Sequence, residues 1–424
     1  MTAFTLADAK ARDAADKLAP LRQAFHKPKQ ADGSDVLYFG GNSLGLMPKK
    51  ARDYMTEELD DWATMGVTGY FASRNNWVRY HEQFKEPLAR LVGALPHEVA
   101  AMLTLTANLH LAMVSFYRPT PSRYKIVIEK QAFPSDHYAI RSQLAFHGFG
   151  TSDALIELAP REGEDTLRME DVEHVLEVEG ANVALVLLSG LAYYSGQRFD
   201  LKKIAAMAHA HGCAVGFDLA HAVGNVPLNL HDADADFAVW CHYKYVNAGP
   251  GAVGGLFVHE RHHAHKGLPR LEGWWGNNLD TRFKMGPEFD PAPGVDAWQL
   301  SNYSVFSFAA LRASLELFEK AGMGALREKS VALTTCLYDL LAPLDGVEVF
   351  TSADPEQRGA QLSVRVAGGR KTFEALQAHG VVCDWREPDC IRLAPAPLYT
   401  SFEEVYRLTD VLRQVITQQL ARVV

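Results

Sequence analysis

The stretch NVALVLLSGLAYYSGQRFDLKKIAAMAHAHGCAVGFD, residues 182–218, decides the fold. It opens with a near-continuous apolar run, passes through a loop and an amphipathic helix (201–212), and closes with a second apolar run at 213–218. An unbroken apolar run of this length predicts a strand that is buried on both faces. Two such strands joined by a helix predict a parallel pair with a helical crossover.

The same alternation of strands and helices continues on both sides of this stretch. Helices are predicted at about 4–25 and 77–93 and at 134–148 and 168–180, and further strands at 124–129, 154–158, 237–241 and 252–258. The pattern predicts an α/β fold with a mostly parallel central sheet flanked by helices.

The predicted pattern of helices and strands changes near residue 305. Two long helices precede short strands, and a last helix follows; we expect the helices at 307–321, 323–342 and 402–420, and the strands near 347–350, 361–366 and 380–384. This is the pattern of a smaller C-terminal α+β domain. We therefore expect three parts: an N-terminal helical segment that packs on the small domain (1–35), a large α/β domain (36–304) and the small domain (305–424).

Composition limits the classes of function. The 424 residues are 48% hydrophobic and 22% charged, with a net charge of −9, which disfavours nucleic acid or an anionic membrane as a partner. No apolar stretch approaches the roughly 20 residues that a membrane span needs, and the N-terminus lacks a secretory signal. Five scattered cysteines without a CxxC pair predict reduced thiols and a cytoplasmic protein.

Polar side chains follow three neighbouring strands of the predicted sheet. Ser189 ends one strand, Asp218 ends the next with His221 just beyond it, and Tyr243 and Lys244 follow the third. Ligands of open parallel sheets bind beyond the carboxyl ends of the strands, so we expect these groups to share one site. Taken singly, each has an ordinary explanation: Lys244 as a solvated loop residue, Asp218 as a helix cap, His221 as a structural histidine. Only the combination indicates a site.

This combination suits pyridoxal 5′-phosphate. A lysine in a partly apolar pocket is a nucleophile toward an aldehyde, and an aspartate keeps the pyridine nitrogen protonated. The phosphate needs a helix N-terminus, which the run from Thr106 and Asn108 offers. Phe133, at a strand end, is placed to stack on the ring. The glycine string at 249–254 lacks the strand–turn–helix context of a dinucleotide site, and we predict no metal site.

Several motifs resemble the kynureninase family of pyridoxal-phosphate enzymes, which has the aspartate-aminotransferase fold (fold type I). The resemblance rests on GFDLAHAVGNVPL (216–228) and WCHYKYVNAGPG (240–251). It extends in chain order over YFGGNSLGL (38–46), LTANLHL (105–111), FPSDHYAI (133–140), GWWGNNLDTRFKM (273–285), SNYSVFS (301–307) and IRLAPAPLYTSF (391–402). Together these motifs span residues 38 to 402.

The resemblance implies a role for each matching residue. Lys244 would bind the cofactor covalently, with Asp218 on the ring nitrogen, His221 close by, Phe133 on the ring face and Asp136 in the same loop. Leu105, Thr106, Ser189 and Tyr243 would hold the phosphate side, and Tyr243 would also transfer protons. Trp274 and Asn302 would reach the neighbouring subunit's cofactor, which implies a homodimer with shared sites. Arg392 would bind the substrate's α-carboxylate; Ser43, Tyr70, Ser301 and Asn302 complete the expected substrate-binding set.

The implied reaction is hydrolysis of the Cβ–Cγ bond of kynurenine or 3-hydroxykynurenine, in tryptophan catabolism or NAD biosynthesis. Asn302, paired with Ser301, favours the 3-hydroxylated substrate, whereas the tyrosine at position 70 is unusual for the aryl-recognition position. Two alternatives remain open at this point. One is another lyase of the same fold, such as a cysteine desulfurase with a nucleophilic cysteine; the other is a relative that has lost the cofactor.

Overall fold

The computed structural model describes residues 4–265 and 267–420, with the backbone only for residue 420. The helices are α1 (Leu6–Ala15), α2 (Lys50–Met65), α3 (Gly69–Ala72), α4 (Lys85–Val92), α5 (Leu105–Phe116), α6 (Pro134–Phe146), α7 (Thr151–Ala154), α8 (Met169–Glu179), α9 (Leu201–Ala210), α10 (Leu279–Arg282), α11 (Val305–Ala321), α12 (Met323–Leu341), α13 (Arg370–Ala378) and α14 (Phe402–Leu420). The strands are β1 (Phe25–His26), β2 (Leu37–Tyr38), β3 (Met47–Pro48), β4 (Val99–Ala101), β5 (Lys125–Glu129), β6 (Leu155–Leu158), β7 (Val183–Ser189), β8 (Ala214–Asp218), β9 (Phe237–Cys241), β10 (Gly254–Val258), β11 (Val347–Val349), β12 (Leu362–Val366), β13 (Val381–Val382), β14 (Asp384–Arg386) and β15 (Cys390–Leu393).

A seven-stranded sheet forms the centre of the larger part of the molecule. Its strand order is β4-β10-β9-β8-β7-β5-β6. The pairs from β9 to β6 are parallel, and β10 runs antiparallel to both of its neighbours. The predicted mostly parallel sheet is therefore confirmed.

Both faces of this sheet are buried, which explains the unbroken apolar strands. Successive residues of β7 enter different cores: Val186 and Leu188 pack in one, Leu185 and Leu187 in the other. Because side chains alternate across a strand, a sheet covered on two sides needs apolar residues at every position.

A four-stranded antiparallel sheet, β11-β12-β15-β14, forms the smaller part. A separate apolar core joins it to α12, α13 and α14. Helix α1 packs against α14, and Ala9 of α1 belongs to the same core. The N-terminal segment thus contacts the C-terminal helices.

Some element predictions were wrong in detail. The helix expected over about 4–25 ends at Ala15, and a 3₁₀ turn with a proline near its start follows it. The helix expected over about 77–93 is a 3₁₀ turn followed by α4. The strand β4 was not predicted, because three residues carry too little periodic pattern to detect.

Candidate active site

Three strands of the central sheet end at one cavity. It has a volume of about 150 Å³ and is lined by Leu105, Thr106, Phe133, Ser135, Asp136, Ser189, Leu191, Tyr193, Asp218, Ala220, His221, Tyr243 and Lys244. We call it the Lys244 cavity. It brings together nine predicted residues that come from five separate stretches of the chain. The strand order thus brings these side chains together at the carboxyl edge of the sheet, as predicted.

Lys244 is half-buried in this cavity, next to an imidazole. Its Nζ lies 3.0 Å from Nε2 of His221. Burial, together with the positive charge of Lys244, holds the pKa of His221 well below its ordinary value. His221 is therefore neutral at physiological pH, and its ring nitrogen is available to accept a hydrogen bond from the amine. The rings of Phe133 and Tyr243 lie about 6 Å from the same Nζ, at 5.7 and 6.0 Å to their centroids.

Three buried carboxyl groups cluster at the same end of the sheet. They belong to Glu129, Asp136 and Asp218, and each is 7% exposed or less. Burial raises the pKa of each of them; the negative charge of Asp218 raises that of Asp136 further. The Oδ1 atom of Asp136 is buried and has no hydrogen-bond partner among the described residues. Such a cluster favours a cationic group in the cavity beside it.

Ser189 lies beside Asp218 in the sheet, and its hydroxyl contacts a buried glutamate. The two residues are register partners across β7 and β8. The backbone N–H of Ser189 donates to Oε1 of Glu129 (2.9 Å), and its hydroxyl donates to the same oxygen. The hydroxyl is thus engaged by a carboxylate, whereas the sequence resemblance assigns it to the phosphate side.

The N-terminus of α5 also lines the cavity. Leu105 and Thr106 form its first turn, and no side chain caps the helix. The hydroxyls of Thr106 and Ser135 lie 2.8 Å apart. Uncapped N–H groups at a helix start, joined by two hydroxyls, form a site suited to a phosphate.

Arg392 lies in strand β15 and is only 1% exposed. Its Nε and Nη2 donate to the carboxylate of Asp384 at 2.7 and 2.5 Å, and its Nη2 also donates to the hydroxyl of Ser43 at 3.0 Å. Its Nη1 donates to the carbonyl of Tyr193 at 2.9 Å. Because Tyr193 also lines the Lys244 cavity, Arg392 and Ser43 are connected to the cavity through that residue.

Comparison with known proteins shows which family this chain resembles. Residues 326–412 match the family model described as the kynureninase C-terminal domain. A kynureninase of Myxococcus xanthus is 56% identical over 403 residues, covering 94% of this chain and 95% of its own. A kynureninase of Koribacter versatilis is 52% identical over 401 residues, covering 94% and 95%, and one of Flavobacterium psychrophilum is 49% identical over 420 residues, covering 98% and 99%.

The chain belongs to the kynureninase family. Kynureninases are pyridoxal-phosphate-dependent hydrolases that act on a carbon–carbon bond, and this chain is an enzyme of that class. The predicted family, activity and cofactor are confirmed.

Solved structures with lower identity show the fold. A variant of C-DES with glycine linked covalently to its pyridoxal-phosphate cofactor has a TM-score of 0.77 at 19% identity, covering 92% of this chain and 98% of its own. The Escherichia coli cysteine desulfurase CsdA has a TM-score of 0.77 at 18% identity, covering 95% and 99%. The predicted fold type I is confirmed. At such identities the likeness shows fold and not activity.

The Lys244 cavity fits the cofactor of kynureninases. It supplies an amine for the aldehyde carbon, a buried carboxylate for the ring nitrogen and an anion-binding helix N-terminus for the phosphate, in Lys244, Asp218 and α5 respectively. The unpartnered oxygen of Asp136 and the raised pKa of Asp218 both favour the positive ring nitrogen there.

Besides Ser43 and Arg392, four predicted residues do not line the Lys244 cavity of this chain: Tyr70, Trp274, Ser301 and Asn302. The amide of Asn302 donates to the phenol oxygen of Tyr70 at 3.0 Å, so the two expected aryl-recognition residues do meet. Trp274 is 42% exposed. Kynureninase residues that the resemblance assigns to a neighbouring subunit are thus exposed in the single chain.

The cysteines of this kynureninase do not resemble the nucleophile that a desulfurase needs. All five are buried and free. Burial raises the pKa of Cys390 to about 12 and raises that of Cys383 as well. A thiol with a raised pKa carries little thiolate and reacts slowly.

Five residues near the site were missed from sequence. Glu129 is the last residue of a predicted strand, and Ser135 lies in a motif already singled out, so strand ends and motif neighbours could have indicated both. Asp384 ends the strand predicted at 380–384, so it carries the same signal, whereas Tyr193 and Arg386 carry none. Their positions depend on a loop path and on sheet register, which the sequence pattern does not encode.

A second group of polar side chains lies elsewhere, around Glu98. Its carboxylate and the imidazoles of His231 and His259 could hold a metal ion by distance. The carboxylate already accepts hydrogen bonds from the Leu95 backbone N–H and from His231, and Nδ1 of His259 accepts one from the Arg261 backbone. Hydrogen bonds within the fold account for this group.

Proposed function

We propose that this protein hydrolyses the Cβ–Cγ bond of L-kynurenine and 3-hydroxy-L-kynurenine, giving L-alanine and the corresponding anthranilate. The observation that carries the proposal is the meeting of Lys244, His221 and Asp218 in one cavity, connected through Tyr193 to Arg392. We place the reaction in tryptophan catabolism or NAD biosynthesis, and the protein in the cytoplasm. The buried free cysteines support a reducing compartment.

Pyridoxal phosphate, when bound, supplies an electrophilic carbon for the substrate amine and a ring that accepts electrons. Asp218 would hold the proton of the ring nitrogen, because a buried carboxylate stabilises a neighbouring cation. The N-terminus of α5, with Thr106 and Ser135, would bind the phosphate together with Tyr243. Phe133 would cover the ring face. Ser189, whose hydroxyl donates to Glu129, lines the same cavity.

Lys244 and Tyr243 divide the proton transfers. Neutral His221 accepts a hydrogen bond from Lys244 and thereby fixes the position of the amine, which removes the Cα proton of the substrate. Burial raises the pKa of Tyr243, so its hydroxyl keeps its proton at neutral pH. We therefore assign Tyr243 as a proton donor in the later steps.

Arg392 and Ser43 would bind the α-carboxylate of the substrate. A buried guanidinium makes short charge-assisted hydrogen bonds, and its planar fork fixes the orientation of a carboxylate. This contact would place the Cα–H bond and the aryl carbonyl with respect to Lys244 and Tyr243.

We propose that two copies of the chain share their active sites. Phe71, Trp274 and Phe283 form an exposed aromatic patch; the ring of Phe283 lies 5.7 Å from that of Phe71 and 6.0 Å from that of Trp274. The exposed Met285 follows Phe283 by two residues. Exposed apolar patches of this kind mark contact surfaces. With a second copy covering the patch, Trp274, Tyr70, Ser301 and Asn302 would reach the neighbouring cavity.

We propose a preference for the 3-hydroxylated substrate. The amide N–H of Asn302 is directed to Tyr70, which leaves the amide oxygen and the phenol proton for the aryl 3-hydroxyl. A site with a polar group for a substrate hydroxyl discriminates against the analogue that lacks it. Replacing Asn302 by Ala should lower the ratio of kcat/KM for 3-hydroxykynurenine over kynurenine by about fivefold to tenfold. An unchanged ratio would remove Asn302 from this role.

We also propose the division into an N-terminal segment (1–35), a cofactor-binding domain (36–304) and a C-terminal domain (305–424). The packing of α1 on α14 and the separate core of the small sheet support it.

The activity is tested by incubating purified protein with each kynurenine and measuring anthranilate or 3-hydroxyanthranilate by liquid chromatography. Lys244→Ala should abolish turnover and the covalent cofactor link trapped by borohydride, whereas Lys202→Ala, an exposed lysine, should match the wild type. Absence of product from both substrates contradicts the proposal.

Shared sites are tested by mixing Lys244→Ala and Trp274→Ala chains, each inactive alone. Mixed dimers would then contain one cavity with both native residues, so part of the activity should return. If mixing restores no activity, the two residues act within one chain.

A further inference from the structure

The α-carboxylate site next to the Lys244 cavity contains a second arginine, Arg386. It lies on strand β14, two residues after Asp384, and its side chain is about one-third exposed. The Nη2 of Arg386 donates to the hydroxyl of Ser43 at 3.2 Å and lies 3.5 Å from the carboxylate of Asp384. Ser43 thus accepts hydrogen bonds from both arginines, since Nη2 of Arg392 lies 3.0 Å from the same oxygen.

Arg392 has few N–H groups to spare. A guanidinium carries five N–H donors, and four hydrogen bonds are already made: two to Asp384, one to Ser43 and one to the carbonyl of Tyr193. One N–H on Nη1 remains. A carboxylate held by two hydrogen bonds therefore needs a donor from another residue, or it must break an existing bond.

The charges lead to the same conclusion. Burial alone would raise the pKa of Asp384, but the hydrogen bonds and charge of Arg392 lower it below its ordinary value, so Asp384 is ionised at neutral pH. Its charge cancels that of Arg392. The positive charge of Arg386 then leaves the trio with one net positive charge, which matches a single carboxylate.

Arg386 also has an unused donor directed away from solvent. Its Nε is buried and has no hydrogen-bond partner among the described residues. A buried donor without a partner is costly, and a ligand oxygen would satisfy it. The positive charge of Arg386 is felt in the cavity, because it contributes to the lowered pKa of His221.

We infer that Arg386 binds the substrate α-carboxylate together with Arg392, and that Asp384 sets the net charge of this two-arginine site. The inference rests on the proposed function. It assigns a role to each member: Arg392 supplies one N–H, Arg386 supplies the second donor and the uncompensated charge, and Ser43 fixes the spacing of the two guanidinium groups.

Charge balance provides the test. Arg386→Gln removes the net positive charge, so KM for kynurenine should rise about 10- to 100-fold while kcat changes little, because a contact kept throughout the reaction affects mainly binding. Arg386→Lys keeps the charge without the fork and should lose less. In Asp384→Asn/Arg386→Gln the net charge returns to one, and KM should recover to within about fivefold of the wild type.

Arg370→Gln, an exposed arginine with carboxylate partners of its own, is the matched control and should leave KM unchanged. Thermal melting of each variant reports folding. A KM for Arg386→Gln within twofold of the wild type overturns the inference, and so does a double variant weaker than the single one, since losses that add indicate a structural role. If the wild type itself turns over neither kynurenine, the proposed function fails instead.

Discussion

Asp218→Asn separates the electrostatic role of this carboxylate from its structural role. Asp218 is 7% exposed, and its Oδ1 accepts a hydrogen bond from the backbone N–H of Ala220 at 2.7 Å. Asparagine has nearly the same shape and retains that acceptor oxygen. The substitution therefore removes the charge and leaves the local backbone in place.

The size of the effect follows from the contact that is lost. A hydrogen bond between a carboxylate and a protonated ring nitrogen contributes about 1.5–3 kcal/mol, which corresponds to roughly 10- to 150-fold. We expect cofactor affinity to fall by about that factor. We expect kcat to fall as well, because an unprotonated ring accepts electrons poorly.

Stability of the cofactor-free protein should change in the opposite direction. Burial raises the pKa of Asp218, and a carboxyl with a raised pKa destabilises the folded state at pH values above its ordinary pKa of 3.8. Asp218→Asn removes that cost, so its stability relative to the wild type should increase between pH 4 and pH 8.

Two measurements check this prediction. Cofactor titration with steady-state kinetics gives affinity and kcat, and urea unfolding of the cofactor-free protein at several pH values gives stability. Asp339→Asn, at an exposed position on α12, serves as the matched control. Retention of kcat/KM within threefold of the wild type, or a stability loss that is the same at every pH, would refute the reasoning.

Three further predictions concern the phosphate site, a buried histidine and the cysteines. Thr106→Ala should weaken cofactor binding about tenfold, and Ser135→Ala should add little to it, because the two hydroxyls are hydrogen-bonded to each other (2.8 Å) and act as a unit; additive losses in a cofactor titration would contradict this. Burial lowers the pKa of His242 to about 4, so folding stability should fall by about 3 kcal/mol as pH drops from 6.5 to 4; protonation would also break the hydrogen bond that its Nε2 accepts from the Trp240 indole N–H (2.7 Å). His242→Gln should flatten that part of the pH dependence in urea titrations, and an unchanged slope would assign it to other groups. Cys383→Ser/Cys390→Ser should keep full kynurenine hydrolysis, because both thiols are buried with raised pKa; loss of turnover in the folded variant would reopen the desulfurase-like alternative.

Much of the central sheet could be predicted from the sequence, because short local stretches of sequence mark its strands. Apolar runs such as 182–188 marked strands buried on both faces, and their ends marked Ser189, Asp218 and Lys244. Parallel strands bring their carboxyl ends to one edge, so pattern and topology together predicted which side chains would meet. Helix boundaries near 4–25 and 77–93 were predicted poorly, because 3₁₀ turns extend the helical pattern without continuing the helix.

The sequence by itself determined the fold class, and it predicted the lysine, the aspartate and the helix that we assign to the pyridoxal-phosphate site, since each is tied to a strand or helix end. Only the tertiary structure decided which residues meet at the proposed carboxylate site. Asp384 faces Arg392 only through the antiparallel register of β14 and β15, and Ser43 meets Arg392 across 349 residues of chain. Register and long-range contacts depend on how whole elements pack, so no local pattern records them.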